Sequence, residues 1–241
     1  MDIFERLEYK NNIKAYNTRI TKTKLSVQEG LSKAERELLK DKVEDIRLEY
    51  VFNKNTYPME RFISDNEWYD AIYIVKVILS VATSIRKLSK IIQIAIQSPT
   101  IIIFEMNGEY LFSSALKRLN KAEKGKTVAE EFHFGKWINL CSTSNSDNRF
   151  LDTIMYGSLP SLDFKQAYIT IHQAIYKQAN ADIAADILTD DFEEYKIKVE
   201  RRKENQQKID KLVRLLNNKS TSLKDKVEIV ANIEQLKKSM V

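Results

Sequence analysis

Carboxylates and lysines on predicted strands are the residues of this chain whose types best fit hydrolytic chemistry. A metal-dependent nuclease holds its metal with clustered carboxylates, and a lysine usually lies beside them. Asp70 opens one predicted strand and Glu105 lies near the end of another, while Lys76 lies on a strand and Lys117 follows one. Glu105 is followed by Met-Asn, whereas a restriction-type core places Glu-x-Lys on its strand. Because the residue types are present without the spacing, a divergent metal-dependent nuclease is the alternative hypothesis.

Other catalytic and ligand-binding motifs find little support. The chain has one cysteine, Cys141, and two histidines, His133 and His172. These exclude an intrachain disulfide and a four-ligand Cys/His zinc site within one chain. A Cys141–His133 pair would need spatial contact for nucleophilic catalysis, and His172 is expected to be a packed or surface side chain of an apolar-rich helix. Glycine-rich phosphate loops are absent from the sequence. We therefore expect no catalytic residue, no metal site and no cofactor.

Basic residues point instead to a polyanion. The 39 Lys and Arg outnumber the 34 Asp and Glu, which gives a formal net charge of +5 and a pI near 9.0. They concentrate in the stretches 10–24, 117–126 and 196–219. Strand-end basic residues can contact phosphates while neighbouring aromatics stack on bases, but for Tyr110, Phe112 and Trp137 we prefer a place in the core. The other interpretation of all three stretches is a solvated surface.

The segment 196–203 is the better nucleic-acid candidate, because it is a predicted exposed helix with little apolar material. If several of its basic residues neutralise phosphates, binding should fall steeply with salt. The predicted nucleic-acid-binding residues are Lys117, Arg118, Lys196, Lys198, Arg201, Arg202 and Lys203.

The elements that position these residues follow from local signals. Only five Gly and three Pro among 241 residues disfavour an all-β fold with frequent tight turns. Residues 12–28 lack a clear period and predict an extended arm or short strand. Ser32 and Glu35 form a capping box that predicts a helix over about 33–44. Alternating apolar residues then predict a strand over about 45–53.

The segment 70–116 predicts a βαββ unit. Asn107-Gly108 is the strongest hairpin signal of the chain, because a type I′ turn needs positive φ at both positions. One more strand is expected beyond this unit. The predicted elements are a strand over 70–79, a helix over 84–96, and strands over 100–106, 109–116 and 127–140.

Beyond the polar loop 142–148 the chain reads as helical. We expect one helix over about 164–188 and two more over 191–217 and 223–240. The last two carry narrow apolar seams, which can pack as a helical hairpin or coiled coil. Such a hairpin could dock a partner chain or pack on the preceding helix. The seams are Ile209, Leu212, Val213 and Leu216, and Leu223, Val227, Val230, Ile233, Leu236 and Met240.

The order of these elements resembles an uncharacterised bacterial family, the domain of unknown function DUF4391. The resemblance rests on the segments Ile20–Leu25, Ile46–Tyr50, Ser98–Glu105 and Ala115–Arg118, followed by the basic helical hairpin, and it covers the chain from about residue 12 to the end. Members of that family are commonly encoded beside helicases and DNA methyltransferases of restriction or phage-defence type. The resemblance implies a supporting role in such a system, and it supplies no catalytic residues.

Together these observations predict an α+β protein with a mixed or antiparallel sheet and flanking helices over 1–140. A helical region over 150–241 would follow and end in the hairpin 191–241. We expect a non-catalytic accessory subunit of a bacterial DNA-processing, restriction or defence complex, with other protein subunits and DNA as partners. The alternatives are the nuclease and an oligomeric scaffold without nucleic acid. No segment has the length of a membrane span or the pattern of a signal peptide, so we expect a cytoplasmic protein.

Overall fold

The computed structural model describes residues 2–28, 31–123, 125–184, 187, 191–218 and 222–239. Leu188, Lys219, Ser220 and Met240, which the predicted helices and the hairpin turn include, lie outside these residues. The helices are α1 (Ile3–Arg6), α2 (Tyr9–Asn12), α3 (Lys22–Gln28), α4 (Lys33–Lys42), α5 (Ile85–Ala95), α6 (Asn145–Thr153), α7 (Phe164–Ala179), α8 (Ala181–Ala184), α9 (Phe192–Leu216) and α10 (Leu223–Lys238), with a 3₁₀ turn at Tyr156–Ser158. The strands are β1 (Thr18–Arg19), β2 (Val43–Asn53), β3 (Phe62–Ile63), β4 (Trp68–Tyr69), β5 (Ala71–Leu79), β6 (Thr100–Met106), β7 (Glu109–Leu119), β8 (Thr127–Phe134) and β9 (Ile138–Asn139).

A mixed sheet forms the centre of the first of two compact units, residues 1–179. Its strands run in the order β1-β2-β5-β6-β7-β8, and β9 pairs with β7 at Glu109 and Tyr110. The β5–β6 pair is parallel and is connected through α5, whereas the other pairs are antiparallel. The predicted α+β class with a mixed sheet and flanking helices is therefore confirmed.

Two apolar cores, on opposite faces of the sheet, hold the first unit together. One core joins the strands to α1, α2, α6 and α7 through residues such as Phe4, Phe150 and Tyr168. The other joins them to α3, α4 and α5 through residues such as Leu25 and Leu88. Alternate residues of a strand point to opposite faces, so a sheet with helices on both sides needs apolar residues in near-continuous runs. The run Ile101–Phe104 of β6 meets that requirement and is fully buried.

The capping box and the Asn-Gly turn that the sequence predicts are both present in the structure. At α4, the Ser32 hydroxyl accepts from the backbone N–H of Glu35, and the Glu35 carboxylate accepts from the backbone N–H of Ser32. The turn between β6 and β7 has φ values of 52° at Asn107 and 77° at Gly108. Both positions therefore adopt the left-handed region that the Asn-Gly pair favours.

The arm predicted over 12–28 is extended only in part. Thr18 and Arg19 pair with the edge of β2, but residues 22–28 form the helix α3. Leu25 of this helix is buried against α4 and α5 in the second core. Burial of a single apolar residue can support a short helix that has no full apolar face, because tertiary packing overrides weak local preference.

The strand predicted over 127–140 divides into β8 and β9. The interruption lies at Gly135, whose N–H donates to the carbonyl of Phe112, and at Lys136, whose N–H donates to the side-chain carbonyl of Gln178. A Cβ at position 135 would lie 2.8 Å from that same Gln178 oxygen, so a larger residue here would displace the Gln178 side chain from its hydrogen bond to Lys136. The α6 and α7 helices belong to the first unit, where they cover one face of the sheet.

The second compact unit, residues 180–241, contains α8, α9 and α10. The Asp191 carboxylate accepts from the N–H of Glu194 and begins α9, and the Ser222 hydroxyl accepts from the N–H of Asp225 and begins α10. The last two helices pack on each other as the predicted helical pair, with Ile209 and Ile233 buried. Across the described residues of both units, no helix is apolar over a length that would cross a membrane.

Candidate functional sites

The two predicted strand-end basic residues have different environments. Lys117 of β7 is only 4% exposed, and its ammonium donates to the carbonyls of Ile96 and Ser98, the second at 2.7 Å. These carbonyls follow α5, where no further helical turn satisfies them. Arg118 is half exposed, and its Nε lies 3.0 Å from Oε2 of Glu130 on β8. Lys117 therefore stabilises the fold, and only Arg118 lies where a phosphate could reach it.

The aromatic residues near this strand end are not stacking platforms. Tyr110 and Phe112 are buried in the first core, and the ring of Phe112 meets that of Phe150 edge-on at 5.0 Å. Trp137 is partly buried and packs against the second core. The preference for a place in the core is confirmed for Tyr110 and Phe112, because a base cannot stack on a ring that is already enclosed.

Three predicted basic residues of α9 form ion pairs along their own helix. The pairs join side chains three or four residues apart, which are neighbours on a helix surface. Exposed pairs of this kind add little stability, but they place a carboxylate beside each ammonium. The pairs are Lys196–Glu193 at 3.7 Å, Lys198–Glu194 at 2.5 Å and Lys203–Glu200 at 2.9 Å.

The two arginines between these pairs differ. Arg202 is partly buried, and its Nη1 donates to the carbonyl of Ile183 at 2.8 Å, which ties α9 to α8 within the second unit. Arg201 points to solvent and forms no ion pair with any residue that the structure describes. Of the five residues predicted on this helix, Arg201 is the one best placed to meet a phosphate.

An exposed basic stripe extends from Arg201 along α9. Lys208 and Lys211 follow it after seven and then three residues, so all three side chains lie on one helix face. Like Arg201, the two lysines are exposed and have no ion-pair partner within the described part of the chain. Sequence reasoning missed these two lysines as site residues. Lys208 follows Glu204 by four positions, the spacing of the Glu194–Lys198 pair, so nothing in the sequence indicates that it is unpaired.

Lys208 and Lys211 also line a groove between α9 and α10. Its opposite wall consists of polar side chains from α10, Asn232 and Gln235, and its floor includes Leu212 and Leu236. At the end of the groove, Nδ2 of Asn205 donates to Oγ of Ser239 at 3.1 Å and holds the two helices together. Ammonium groups facing amides across an open groove form a surface that suits an anionic ligand.

The apolar seam predicted for α10 divides between two faces. Ile233 is buried and Leu236 lines the groove with α9, and Ile229, which the predicted seam omitted, is partly buried. Leu223 and Val227 instead point to solvent, with 81% and 67% of their surface exposed, and Val230 is exposed as well. We call Leu223, Val227 and Val230 the outer stripe. Steps of three or four residues can drift gradually around a helix. The predicted seam therefore joined the outer stripe to the residues on the side of α9.

One cluster brings two of the predicted nuclease residues together. Lys76 of β5 lies with its Nζ 3.3 Å from Oε2 of Glu105 on β6, and 3.7 Å from Oε1 of Glu49 on β2. Burial raises the pKa of the Glu49 carboxyl against the opposing effect of Lys76. Asp70 does not join the cluster, since it precedes β5 and lies about 20 Å from Lys76 along the strand direction.

The composition of this cluster limits what it can bind. Among the described residues, no third carboxylate, histidine or cysteine joins Glu49 and Glu105 to complete a ligand group. The ammonium of Lys76 neutralises part of the negative charge of the two carboxylates, which weakens their attraction for a metal ion. Glu49 was not among the sequence-predicted residues, because its partner Lys76 is 27 positions away and only strand pairing brings them together.

The two histidines form a second cluster between β8 and α7. His133 and His172 are 6% and 2% exposed, and their rings stack with centroids 3.8 Å apart and planes inclined by 15°. Nδ1 of His133 lies 3.0 Å from the carbonyl oxygen of His172, and Nδ1 of His172 lies 2.8 Å from Oγ of Ser114 on β7. Cys141 is exposed, whereas the two histidines are buried and stack on each other.

Glu131 completes this cluster from the strand that carries His133. Its Oε1 lies 3.8 Å from Nε2 of His133, and one ligand atom from each of Glu131, His133 and His172 lies within 4.8 Å of the others. The register between β7 and β8 shifts here, so that Glu131 and Phe132 lie opposite the single residue Ala115. Glu131 has a φ of 49°, which is uncommon for a residue other than glycine.

Comparison with known proteins assigns nearly the whole chain to one family. A family model described as "Domain of unknown function (DUF4391)" matches residues 13–240. The match covers nearly the full length and confirms the resemblance seen in the sequence. No curated protein and no solved structure matches the chain.

Proposed function

We propose that this chain, which belongs to the DUF4391 family, is a non-catalytic accessory subunit of a bacterial DNA-processing complex of restriction or phage-defence type. It would bind DNA through α9 and a partner protein through the outer stripe of α10. The observation that carries the DNA-binding part is the exposed basic stripe of Arg201, Lys208 and Lys211 with the groove beside it. Genes of the family commonly lie beside genes for helicases and DNA methyltransferases, which supports a role in such a complex.

The basic stripe suits a nucleic-acid backbone for a physical reason. A cation that contacts phosphate releases counterions condensed on the nucleic acid, and this release drives most sequence-independent binding. A lysine already paired with a carboxylate must first give up that partner, so it gains less. Arg201, Lys208 and Lys211 have no such partner among the described residues, and the rise of 1.5 Å per helical residue places them over about 15 Å of helix.

The DNA-binding proposal is tested by fluorescence anisotropy with a labelled duplex over a series of salt concentrations. The Arg201→Ala/Lys208→Ala/Lys211→Ala variant should bind more weakly, and its plot of log affinity against log salt should be shallower by about two to three, since each phosphate contact contributes about 0.9. The matched control is Lys196→Ala/Lys198→Ala/Lys203→Ala, which removes the same charge from ion-paired positions and should change the slope little.

Two results would contradict the DNA-binding proposal. One is the absence of binding by the unchanged chain at low salt. The other is equal weakening by the two triple variants, which would mean that net charge alone attracts the duplex. Circular dichroism of all three chains should show the same helix content, because alanine is a good helix former at exposed positions.

The outer stripe supports the partner-binding part of the proposal. Contiguous exposed apolar residues often mark protein interaction surfaces, and Leu223 and Val227 are among the most exposed large apolar side chains of the molecule. Co-expression with the neighbouring helicase or methyltransferase, followed by affinity purification, should recover a complex. Leu223→Ser/Val227→Ser should lose it, whereas Lys224→Ser/Glu228→Ser, at exposed positions of the same helix, should retain it. Loss in both variants, or in neither, would contradict docking on this stripe.

A metal-dependent nuclease is the second candidate, and the Glu49–Lys76–Glu105 cluster is the observation that favours it. Two carboxylates and a lysine on adjacent strands are residue types that hold a metal ion and activate water. If the chain is a nuclease, supercoiled plasmid should be cleaved with Mg²⁺ or Mn²⁺, and Glu105→Gln should abolish cleavage. Glu44→Gln, an exposed position on the same strand as Glu49, serves as the control. Cleavage that survives Glu105→Gln would rule out this cluster as its source.

A further inference from the structure

We propose that Glu131, His133 and His172 form a binding site for one divalent transition-metal ion of the zinc type. This inference concerns the first unit and goes beyond the proposed function. The carrying observation is convergence, since one ligand atom of each residue lies within 4.8 Å of the other two. The three come from β8 and α7, whose positions are set by the buried packing of α7 on the sheet.

The hydrogen bonds of the two histidines involve Nδ1 of each ring and so leave Nε2 as the candidate ligand atom. A carbonyl oxygen only accepts, so Nδ1 of His133 donates its proton to His172 O at 3.0 Å, and the neutral ring then carries its lone pair on Nε2. That Nε2 is the atom 3.8 Å from Glu131 Oε1. Nδ1 of His172 lies 2.8 Å from Oγ of Ser114, and with the hydroxyl as acceptor Nε2 of His172 carries the lone pair that a metal requires. Metal-binding histidines are commonly fixed in this way through their other ring nitrogen.

The backbone conformation at Glu131 supports the proposed metal site independently of the side-chain distances. The bulge in β8 places an extra residue between the positions that pair with β7, and Glu131 adopts a φ of 49° within it. Bulges recur next to functional sites, where they redirect a side chain, and positive φ in a non-glycine residue stores strain that the surrounding fold must hold. Here the redirected side chain is the carboxylate that approaches His133.

The ligand set selects the class of metal. Two imidazoles and one carboxylate suit Zn²⁺ and its neighbours among the transition metals, whereas Mg²⁺ and Ca²⁺ prefer oxygen ligands. Three protein ligands leave a fourth tetrahedral position for water, and the exposed Glu131 lies on the side from which solvent enters. One cysteine and two histidines cannot complete a four-ligand Cys/His site, but a carboxylate can complete a mixed site.

Metal binding must open the stack of the two rings. Bonds of 2.0–2.2 Å in a tetrahedron bring ligand atoms to about 3.3 Å from one another. The lone pair of each Nε2 lies in its ring plane, so two rings inclined by only 15° cannot both point at one ion. Zn²⁺ binding therefore requires a side-chain rotation of at least one histidine, which separates the two stacked rings.

The test follows the two imidazoles directly. His133 and His172 are the only histidines of the chain, so a tag-free protein has only two rings to observe by NMR. The background variant Cys141→Ser removes the exposed thiol as a competing ligand. After treatment with EDTA, ZnCl₂ is titrated by calorimetry and by long-range ¹H–¹⁵N spectra. We expect one Zn²⁺ per chain and a shift of both Nε2 resonances that is complete at one equivalent, and no such shift with MgCl₂.

Glu131→Gln in the same background tests the third ligand without disturbing the core, because this side chain is exposed. It should weaken Zn²⁺ binding by on the order of 10-fold or more. Glu130→Gln, the adjacent residue on β8, should bind Zn²⁺ as the background does. The proposal is overturned if no stoichiometric binding occurs, if Zn²⁺ shifts one ring alone, or if the two glutamine variants bind equally well.

Discussion

Charged side chains find different partners in the sheet unit, residues 1–179, and in the helical unit, residues 180–241. In the sheet unit, the buried ammonium of Lys117 bonds to backbone carbonyls about 20 positions earlier, and Lys76 lies between carboxylates of two neighbouring strands. In the helical unit, Lys198 pairs with a glutamate one turn earlier on its own helix.

This difference shows where a charged residue can be interpreted from its neighbours in sequence. On a helix the nearest side chains are three and four residues away, so counting gives the candidate partners of a cation, and the structure shows which of these pairs form. On a sheet the nearest side chains come from other strands, and their identity depends on strand order and register. A basic cluster in sequence therefore means a basic surface on α9 but not at the end of β7.

Among the charged residues compared between the two units, Lys117 is expected to contribute most to the free energy of unfolding. Lys117→Met keeps the apolar stem and removes the ammonium that donates to the carbonyls of Ile96 and Ser98, of which the second keeps its hydrogen bond from the Thr100 hydroxyl. We expect a loss of about 2–4 kcal/mol in the free energy of unfolding, measured by urea denaturation. Arg118→Met, at the exposed ion pair with Glu130, should lose less than about 1 kcal/mol. Similar losses in both variants would remove the distinction between the two residues.

The next effect separates the two faces of α10. Ile233→Ala removes a side chain that is 8% exposed and packs in the second unit, and it should destabilise the helical pair by about 2 kcal/mol. Val227→Ala, on the outer stripe, should stay within about 0.5 kcal/mol. Amide hydrogen exchange in α9 and α10 reports the stability of this unit by itself. If Val227→Ala accelerated exchange as much as Ile233→Ala does, the outer stripe would not be a free surface.

A smaller effect concerns the carboxyl of Asp147, which links α6 to α7 in the sheet unit. Burial would raise its pKa, but hydrogen bonds from Ser144 and Gln178 prevail and hold the pKa below the usual value of 3.8. The carboxylate therefore stabilises the fold above that pH, and its contribution is lost as the pH falls through the lowered pKa. Asp147→Asn should destabilise by about 1 kcal/mol at neutral pH.

The pH dependence checks the origin of that effect. The difference in thermal stability between Asp147→Asn and the unchanged chain should shrink as the pH falls below 3.8. Asp152→Asn, on the same helix but in an exposed pair with Arg6, provides the comparison and should have a smaller effect at every pH. A constant difference across the acid range would assign the loss to packing and not to the charge.

The smallest effect on stability is expected at Glu49, whose pKa is raised and not lowered, so the dependence of stability on pH has the opposite sign to that of Asp147. Burial raises the pKa of its carboxyl above the usual 4.5, so protonation stabilises the folded state. That stabilisation is present at low pH and is lost as the pH rises through the raised pKa. Glu49→Gln should therefore match or slightly exceed the melting temperature of the unchanged chain at neutral pH and lose this advantage near pH 4. A large loss at neutral pH would show that the ion pair with Lys76 outweighs burial.

Elements with strong local signals were predicted close to their observed bounds. The capping residues Ser32 and Glu35 are three positions apart, and the turn residues Asn107 and Gly108 are adjacent, so each signal contains its own structural cause. The helix α3 was not predicted, because its support comes from burial of Leu25 against two other helices. The interruption between β8 and β9 likewise depends on Gln178 of α7, more than 40 positions away.

The candidate sites likewise include features that depend on nearby residues and features that depend on long-range packing. The basic character of α9 was predicted, but spacing alone would pair Arg201 and Lys208 with Glu204, so the structure decides which cations of α9 are paired. The cluster of His133 with His172 could not be predicted, since 39 positions separate them and neither has a ligand motif nearby. Their approach requires α7 to lie across β8 and a bulge to present Glu131.

The sequence by itself determined the local conformations, the βαββ order, the family and the basic character of the last helices. Each of these depends on neighbouring residues, on the scarcity of glycine and proline, or on charge, all of which exist before the chain folds. Only the tertiary structure decided that Lys117 is buried, that the outer stripe of α10 faces solvent, and that two histidines and a glutamate converge. Those outcomes depend on strand register and on which face of a helix finds a partner, and long-range packing alone sets both.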